Sequence, residues 1–147
     1  MIIDKGSKDT GGLIMSKELM DRLSKSLDAN EFVKYNHIIL DDIELSGATA
    51  HIDIVPETKN VLGVAHGGAH FSLADTCAGY SSRADGREYV TQQSNFYFLK
   101  GVKEGRMIAK GHVIKRTRKF CVVDVDVFDE KGELISKGTF DYYCVSA

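Results

Sequence analysis

The sequence predicts an α+β domain in which one long apolar helix packs against an antiparallel sheet. A mostly apolar stretch over residues 68–83 has the length and pattern of a buried helix. Everything after Glu88 reads as short strands joined by tight links, which favours antiparallel pairing. One such helix and one such sheet must bury their apolar faces against each other.

Composition and charge narrow the class of protein. The chain has 147 residues, enough for one domain with a substantial core. Hydrophobic residues make up 43% and charged residues 27%, as in water-soluble globular proteins. The net charge of -2 argues against nucleic-acid binding, and no apolar run approaches the roughly 20 residues that a bilayer requires. Three widely spaced cysteines without a CxxC motif indicate reduced core residues in a cytoplasmic protein.

The first 35 residues are predicted to hold a flexible N-terminus and one short helix. Residues 1–12 are polar and lack the apolar segment of a signal peptide. The helix is expected over residues 16–27, where Ser16 is suited to cap it and leucine and methionine recur at helical spacing. No repeat or linker-like tract divides the rest, so residues 36–147 are expected to form a single domain.

The remaining elements are predicted in chain order. Residues 35–55 read as two extended stretches that Gly47 separates, and the central helix is expected from Gly68 to Arg83. The later strands are expected over residues 90–99, 105–115, 121–127 and 134–145. Residues 129–132 have the pattern of a hairpin turn. Because short links join these four later strands, they are predicted to form an antiparallel meander.

The segment from Asn60 to Asp75 is the most distinctive part of the chain. It begins as a loop punctuated by glycines and continues as the apolar helix. Glycines let backbone N–H groups approach a ligand, and a helix start presents unpaired N–H donors and partial positive charge at the same place. Such a place can stabilise a developing oxyanion. Asp75 lies about two helical turns further on, where a carboxylate in an apolar segment requires a function or a buried partner.

These residues resemble the hotdog-fold acyl-CoA thioesterases of the phenylacetate-degradation (PaaI) type. The resemblance covers roughly residues 35–143 and implies the hotdog fold, a long central helix wrapped by a curved antiparallel sheet. The shared pattern consists of Asn60-x-x-Gly63-x-x-His66-Gly67-Gly68, Leu73-Ala74-Asp75, Val90-Thr91 before Asn95-Phe96, Gly105 entering a strand, the basic link near Arg116, and the Asp-Glu-x-Gly turn.

The resemblance also implies a role for each site residue. The Gly67 N–H would polarise the thioester carbonyl, and Asp75 would act as general base or nucleophile in a site shared with the neighbouring subunit. Asn60 and His66 would position the thioester and support the leaving thiolate, and Thr91 would help to hold the attacking water. The substrate would be a small or medium acyl-CoA or aryl-CoA thioester, without metal or bound cofactor. The assembly would be a homodimer or a dimer of dimers.

Substrate contacts beyond the reacting groups are expected at two places. Gly68 is expected to contact the substrate beside the helix start. The basic run of Arg116, Arg118 and Lys119 is either a solvated turn or a site for the phosphates of coenzyme A.

Other interpretations of the same residues, mostly purely structural, remain open at this point. The glycines could serve only a tight turn and close helix packing, and Asp75 could be a structural carboxylate. His66 and His70 have the spacing of a metal pair on a helix face, but no His-Glu-x-x-His motif or third ligand accompanies them. Cys77 is a poor candidate nucleophile, because no base lies near it in sequence.

Two other functions are compatible with the same fold. An enoyl-thioester hydratase or dehydratase typically pairs a histidine with an acidic residue in a motif rich in proline, whereas the only proline here is Pro56. A non-catalytic acyl-CoA-binding module would keep the pocket and lose the carboxylate, so Asp75 argues against it.

Overall fold

The computed structural model describes residues 15–146 of the chain. They form helices α1 (Lys17–Asp28), α2 (Glu31–Tyr35) and α3 (Gly67–Arg83) and strands β1 (Ile38–Glu44), β2 (Gly47–Asp53), β3 (Tyr89–Phe98), β4 (Arg106–Arg116), β5 (Phe120–Phe128) and β6 (Leu134–Cys144). The predicted helices and strands are therefore confirmed to within a few residues, and α3 begins one residue earlier than expected. The loose N-terminus expected over residues 1–12 lies outside the described residues.

The six strands form one antiparallel sheet in the order β1-β2-β4-β5-β6-β3. The predicted meander is correct for β4, β5 and β6 but wrong for β3. Strand β3 pairs with β6 over its whole length, from Tyr89 opposite Cys144 to Phe98 opposite Ser136. The link over residues 99–105 then returns the chain to β4, which lies beside β2. Among the described residues, the other edge of β3 has no partner strand.

Helix α3 forms the centre of the core and packs against all six strands. Its inward residues Leu73, Ala74, Cys77 and Ala78 are fully buried. Most of them are small, so the helix axis lies close to the sheet and the larger side chains come from the strands. The strand side chains of the core include Ile52, Met107, Val123, Val125 and Phe140. The α+β architecture is the one that the sequence predicts.

The leading helices pack onto the same core. Ser16 caps α1 as predicted, because its Oγ accepts a hydrogen bond from the Leu19 N–H at 3.2 Å. Leu23 and Leu27 of α1 and Val33 of α2 are buried with the central cluster. The short helix α2 is an addition to the predicted elements. None of the helices formed by residues 15–146 is long and apolar enough to span a membrane.

Candidate active site

The first turn of α3 leaves one backbone donor free. His66 caps the helix, because its Nδ1 accepts from the Gly68 N–H at 2.8 Å. The carbonyl oxygen of His66 accepts from the N–H groups of Ala69 and His70, at 2.8 and 3.2 Å. Within residues 15–146, the Gly67 N–H has no acceptor. It is therefore the donor of this helix start that remains available to a ligand.

Close packing also explains the two glycines in part. A Cβ at Gly67 would lie 3.3 Å from the ring of Phe98, and a Cβ at Gly68 would lie 3.0 Å from His66 Nδ1. Both contacts are tight, so the packing interpretation of the glycines is consistent with the structure. Packing does not explain why the Gly67 N–H is left without an acceptor.

Asn60 shapes the loop that precedes the helix. Its Oδ1 accepts from the N–H groups of Leu62 and Val64, at 2.9 and 3.3 Å. Asn60 and Gly67 line the same cleft of about 290 Å³, together with Ala65, His70, Phe98, Leu99, Lys100 and Gly101. Asn60, His66, Gly67 and Gly68 thus come together around the N-terminus of α3.

Asp75 lies in a second cluster, with Thr91 and Tyr142. Its Oδ1 accepts from Thr91 Oγ1–H at 2.9 Å and from Tyr142 Oη–H at 2.6 Å. Tyr142 Oη also lies 2.6 Å from the backbone oxygen of Asp75. Burial and the neighbouring Asp75 carboxylate raise the pKa of Tyr142, so its hydroxyl stays protonated as a donor. Among the described residues Oδ2 has no hydrogen-bond partner, which leaves one carboxylate oxygen free to act.

The cleft around Asp75 is larger, and its lining is mixed. Its volume is about 500 Å³, and its polar lining comes from Asn30, Ser72, Asp75, Thr76, Arg83 and Thr91. Its apolar and aromatic lining comes from Phe32, Val33, Phe71, Tyr80, Tyr89, Val90 and Tyr142. Tyr142 was not among the predicted site residues. Only its register on β6, which pairs it with Thr91, brings its hydroxyl to Asp75.

The two clusters lie about two helical turns apart on α3. Gly67 and Asp75 are eight residues apart on the same helix, which corresponds to about 12 Å along its axis. They also line different clefts. The Gly67 N–H and the Asp75 carboxylate thus belong to two separate places on the surface of α3.

The structure assigns Arg116 to the protein interior rather than to a phosphate. Its Nη2 donates to the carbonyl of Ser81 at 2.8 Å and its Nη1 to that of Leu45 at 3.2 Å. Its Nε lies 3.4 Å from Asp85 Oδ2, and its side chain is only 18% exposed. These contacts hold the last turn of α3, so the predicted substrate contact of Arg116 lacks structural support.

Arg118 and Lys119 remain on the surface of the turn between β4 and β5. Arg87 supports this turn, because it donates to the carbonyls of Thr117 and Arg118, at 2.9 and 2.7 Å. Asp85 receives hydrogen bonds from Tyr89 and Arg87. Burial alone would raise the pKa of Asp85, but these hydrogen bonds outweigh burial and lower it.

Two further predictions concern residues on α3. Burial raises the pKa of Cys77 to about 12, which agrees with its rejection as a nucleophile. Cys77, Cys121 and Cys144 are all free and buried. His66 and His70 use their Nδ1 atoms for separate partners, Gly68 and Ser136, rather than for a shared ligand.

Comparison with known proteins identifies the family. The profile of the thioesterase superfamily matches residues 62–136, about half of the chain. The 1,4-dihydroxy-2-naphthoyl-CoA hydrolase of Escherichia coli (strain K12) is 30% identical over 105 residues, which are 69% of this chain and 74% of that protein.

Solved structures agree with this family. The E. coli PaaI protein from the phenylacetic acid degradation operon has a TM-score of 0.85 at 17% identity, covering 91% of this chain and 98% of that one, which shows a shared fold. A hypothetical thioesterase protein of Streptococcus pneumoniae TIGR4, whose structure contains coenzyme A, has a TM-score of 0.71 at 28% identity, covering 74% and 89%. The expected hotdog fold is confirmed. The chain therefore belongs to the thioesterase superfamily, and thioester hydrolysis is its class of reaction.

Proposed function

We propose that the protein hydrolyses a small or medium acyl-CoA or aryl-CoA thioester to the free acid and coenzyme A, in sites that two copies of the chain share. The observation that carries this proposal is the arrangement on α3. Its N-terminus presents a free N–H at Gly67, while Asp75, whose Oδ2 has no partner among the described residues, follows eight residues or about 12 Å further along the helix axis. Each half of the chemistry is present, and a second chain is required to bring the halves together.

Strand β3 supplies the surface for that second chain. It is a ten-residue edge strand with exposed Val90, Tyr97 and Phe98, and such long apolar edges are usually covered. Antiparallel pairing of two β3 strands about a twofold axis puts the start of one beside the end of the other. Thr91 and Asp75 of one subunit then face Phe98 and Gly67 of the partner subunit.

The proposed mechanism needs no metal or bound cofactor. The thioester carbonyl oxygen accepts from the Gly67 N–H, which stabilises the negative charge that develops on it. Asp75 Oδ2 of the partner subunit takes a proton from the attacking water, while Thr91 and Tyr142 hold Oδ1. Asn60 and His66 border the carbonyl site and support the departing thiolate. Direct attack by Oδ2 is the alternative: it expels the thiolate and forms a mixed anhydride with Asp75, which water then cleaves. In a single turnover in ¹⁸O water, Asp75 is labelled only on this route, when water attacks the Asp75 carboxyl carbon.

The lining of the Asp75 cleft supports an aryl or medium acyl group. Phe71, Tyr80 and Tyr89 offer aromatic surface of the kind that planar or branched acyl groups pack against. The E. coli relative that acts on 1,4-dihydroxy-2-naphthoyl-CoA is consistent with an aryl substrate. Exposed Arg118 and Lys119 are the groups that we propose for the phosphates of coenzyme A.

The test is a steady-state screen of acyl-CoA thioesters with short, medium, long and aromatic acyl groups, on the wild-type chain and on Asp75→Asn. This variant keeps the size of the side chain and removes its basic charge. We expect kcat to fall about 10²-fold or more, the usual cost of losing a positioned base. Unfolding experiments on the same variant should show no parallel loss of stability. Wild-type turnover by folded Asp75→Asn would refute the assignment.

Assembly and location complete the proposal. We propose a dimer through β3 and a dimer of dimers beyond it, for which the exposed ring pair of Phe120 and Tyr143 on the sheet is a candidate contact. Light scattering that finds a monomer at micromolar concentration would overturn the shared site. Three free thiols are compatible with a reducing compartment, and we propose the cytoplasm.

A further inference from the structure

His70 is a buried histidine beside the proposed carbonyl site. It lies in the first turn of α3, is 3% exposed, and lines the same cleft as Gly67 and Asn60. Its ring packs edge-on against Phe98, with centroids 6.1 Å apart. Its Nδ1 lies 2.9 Å from the Oγ of Ser136 on β6, a fully buried hydroxyl. A polar pair held this firmly at the edge of a binding cleft requires an explanation.

The environment keeps the His70 imidazole neutral. Burial lowers its pKa, because the charged form would lose its solvation. The partial positive charge at the start of α3 acts in the same direction. A neutral imidazole carries its proton on only one ring nitrogen, so the partner of the other nitrogen decides which.

Ser136 fixes the tautomer. A buried hydroxyl must donate its proton to an acceptor, and among residues 15–146 the only hydrogen-bond partner of Ser136 Oγ is His70 Nδ1. Ser136 therefore donates and Nδ1 accepts, which puts the imidazole proton on Nε2. The opposite tautomer would leave the Ser136 proton without a partner in a dry interior.

We infer that His70 is a further catalytic residue, whose Nε2–H donates a second hydrogen bond to the thioester oxygen beside the Gly67 N–H, and that Ser136 is the residue that positions it. This inference rests on the proposed function. The imidazole keeps its proton throughout, and its donation strengthens as negative charge develops on the oxygen. A neutral donor suits this task, because its burial costs less than that of a cation.

The test compares His70→Leu, His70→Gln and Ser136→Ala on the best acyl-CoA from the screen. Leucine has a similar volume and no N–H, so kcat should fall about 10²-fold with KM within a few-fold of wild type. Glutamine can place an amide N–H near the position of Nε2, so it should recover part of the loss and keep the test valid if the leucine variant unfolds. Ser136→Ala should lower kcat less than His70→Leu, because the ring remains but its tautomer is free.

Matched controls separate catalysis from packing. Ser82→Ala removes a fully buried hydroxyl of α3 that donates to the Gly79 carbonyl, away from the cleft around Gly67. His112→Leu removes an exposed histidine of β4. Both should leave kcat unchanged. In ¹⁵N spectra of the wild-type ring, His70 should carry its proton on Nε2, and Ser136→Ala should give a mixture of tautomers.

The outcomes distinguish this inference from the proposed function. If folded His70→Leu turns over at the wild-type rate while Asp75→Asn is inactive, the role of His70 is refuted and the proposed function stands. A wild-type ring that carries its proton on Nδ1 would also refute it. If the wild-type chain hydrolyses no acyl-CoA at all, both proposals fail together.

Discussion

Replacing Gly67 with proline removes the backbone N–H that we propose as an oxyanion donor. Gly67 is the first residue of α3, a position where proline is favoured because its missing N–H has no partner within the helix. The preceding His66 has φ -63° and ψ 142°, a conformation that a following proline allows. The fold should therefore accept Gly67→Pro, while the oxyanion loses its backbone donor.

The expected loss of rate is large and the expected change in stability is small. Removing one such donor costs about 2.7–4 kcal/mol of transition-state stabilisation, or about 10²- to 10³-fold in kcat. Glycine to proline at a compatible position stabilises by about 0.4–1 kcal/mol through the unfolded chain. We therefore expect Tm to stay level or rise slightly while thiol release, followed with a chromogenic disulfide, falls by two orders of magnitude or more.

Gly67→Ala is the matched control. It keeps the N–H and adds a Cβ 3.3 Å from the ring of Phe98, which is 58% exposed and has room to shift. A loss of activity caused by crowding alone should appear in both variants, whereas a loss caused by the missing N–H should appear only in Gly67→Pro. A proline variant that is as active as the alanine variant would refute the Gly67 oxyanion site.

Mixing Gly67→Pro with Asp75→Asn tests whether the site is shared. Each homodimer is inactive, but a heterodimer carries one site with both groups intact and one site with neither. Random association of equal amounts makes half of the dimers heterodimers, so about one quarter of wild-type activity should return on co-refolding. No recovery would mean that each site lies within a single chain.

Three more predictions follow from the surrounding structure. Replacing Arg118 and Lys119 with alanine should raise KM for acyl-CoA at nearly constant kcat. The difference in KM between variant and wild type should shrink as salt concentration rises. An unchanged KM would mean that these residues form only a solvated turn. Tyr142→Phe removes one of the two hydroxyls on Asp75 and should lower kcat about tenfold, the scale of a hydrogen bond to a charged group, as steady-state kinetics will show. Asp85→Asn should destabilise the fold at neutral pH in urea unfolding. The lowered pKa of Asp85 means that this difference is present above its ordinary pKa and disappears as pH falls through the lowered value.

The sequence was sufficient for elements and features that depend on local chemistry. Ser16 before an amphipathic run and the alternation of valines with Asp124 and Asp126 depend on neighbours a few residues away. The helix cap at His66 was not predicted, although it too is local, since Gly68 lies two residues further on. Helix α2 was not predicted, because five residues are too few to show the helical periodicity of apolar side chains.

Features set by pairing between distant segments could not be predicted. Tyr142 reaches Asp75 across 67 residues, through the register of β6 on β3. Arg116 is the clearest case. Simple alternation after Met107 and Ala109 sends Lys115 inward and Arg116 to solvent, but an irregularity between Val113 and Lys115 shifts the register by one residue. Arg116 then pairs with buried Cys121 and points inward.

Helix α2 has a consequence for how such an enzyme can diversify. Phe32 and Val33 form part of the wall of the Asp75 cleft, yet they lie outside the residues 62–136 that carry the family pattern. The reacting groups, by contrast, belong to α3 and β3. Changes in α2 should therefore alter the proposed acyl pocket while the proposed reacting groups stay in place, so grafting this short segment between related chains is a route to new acyl selectivity.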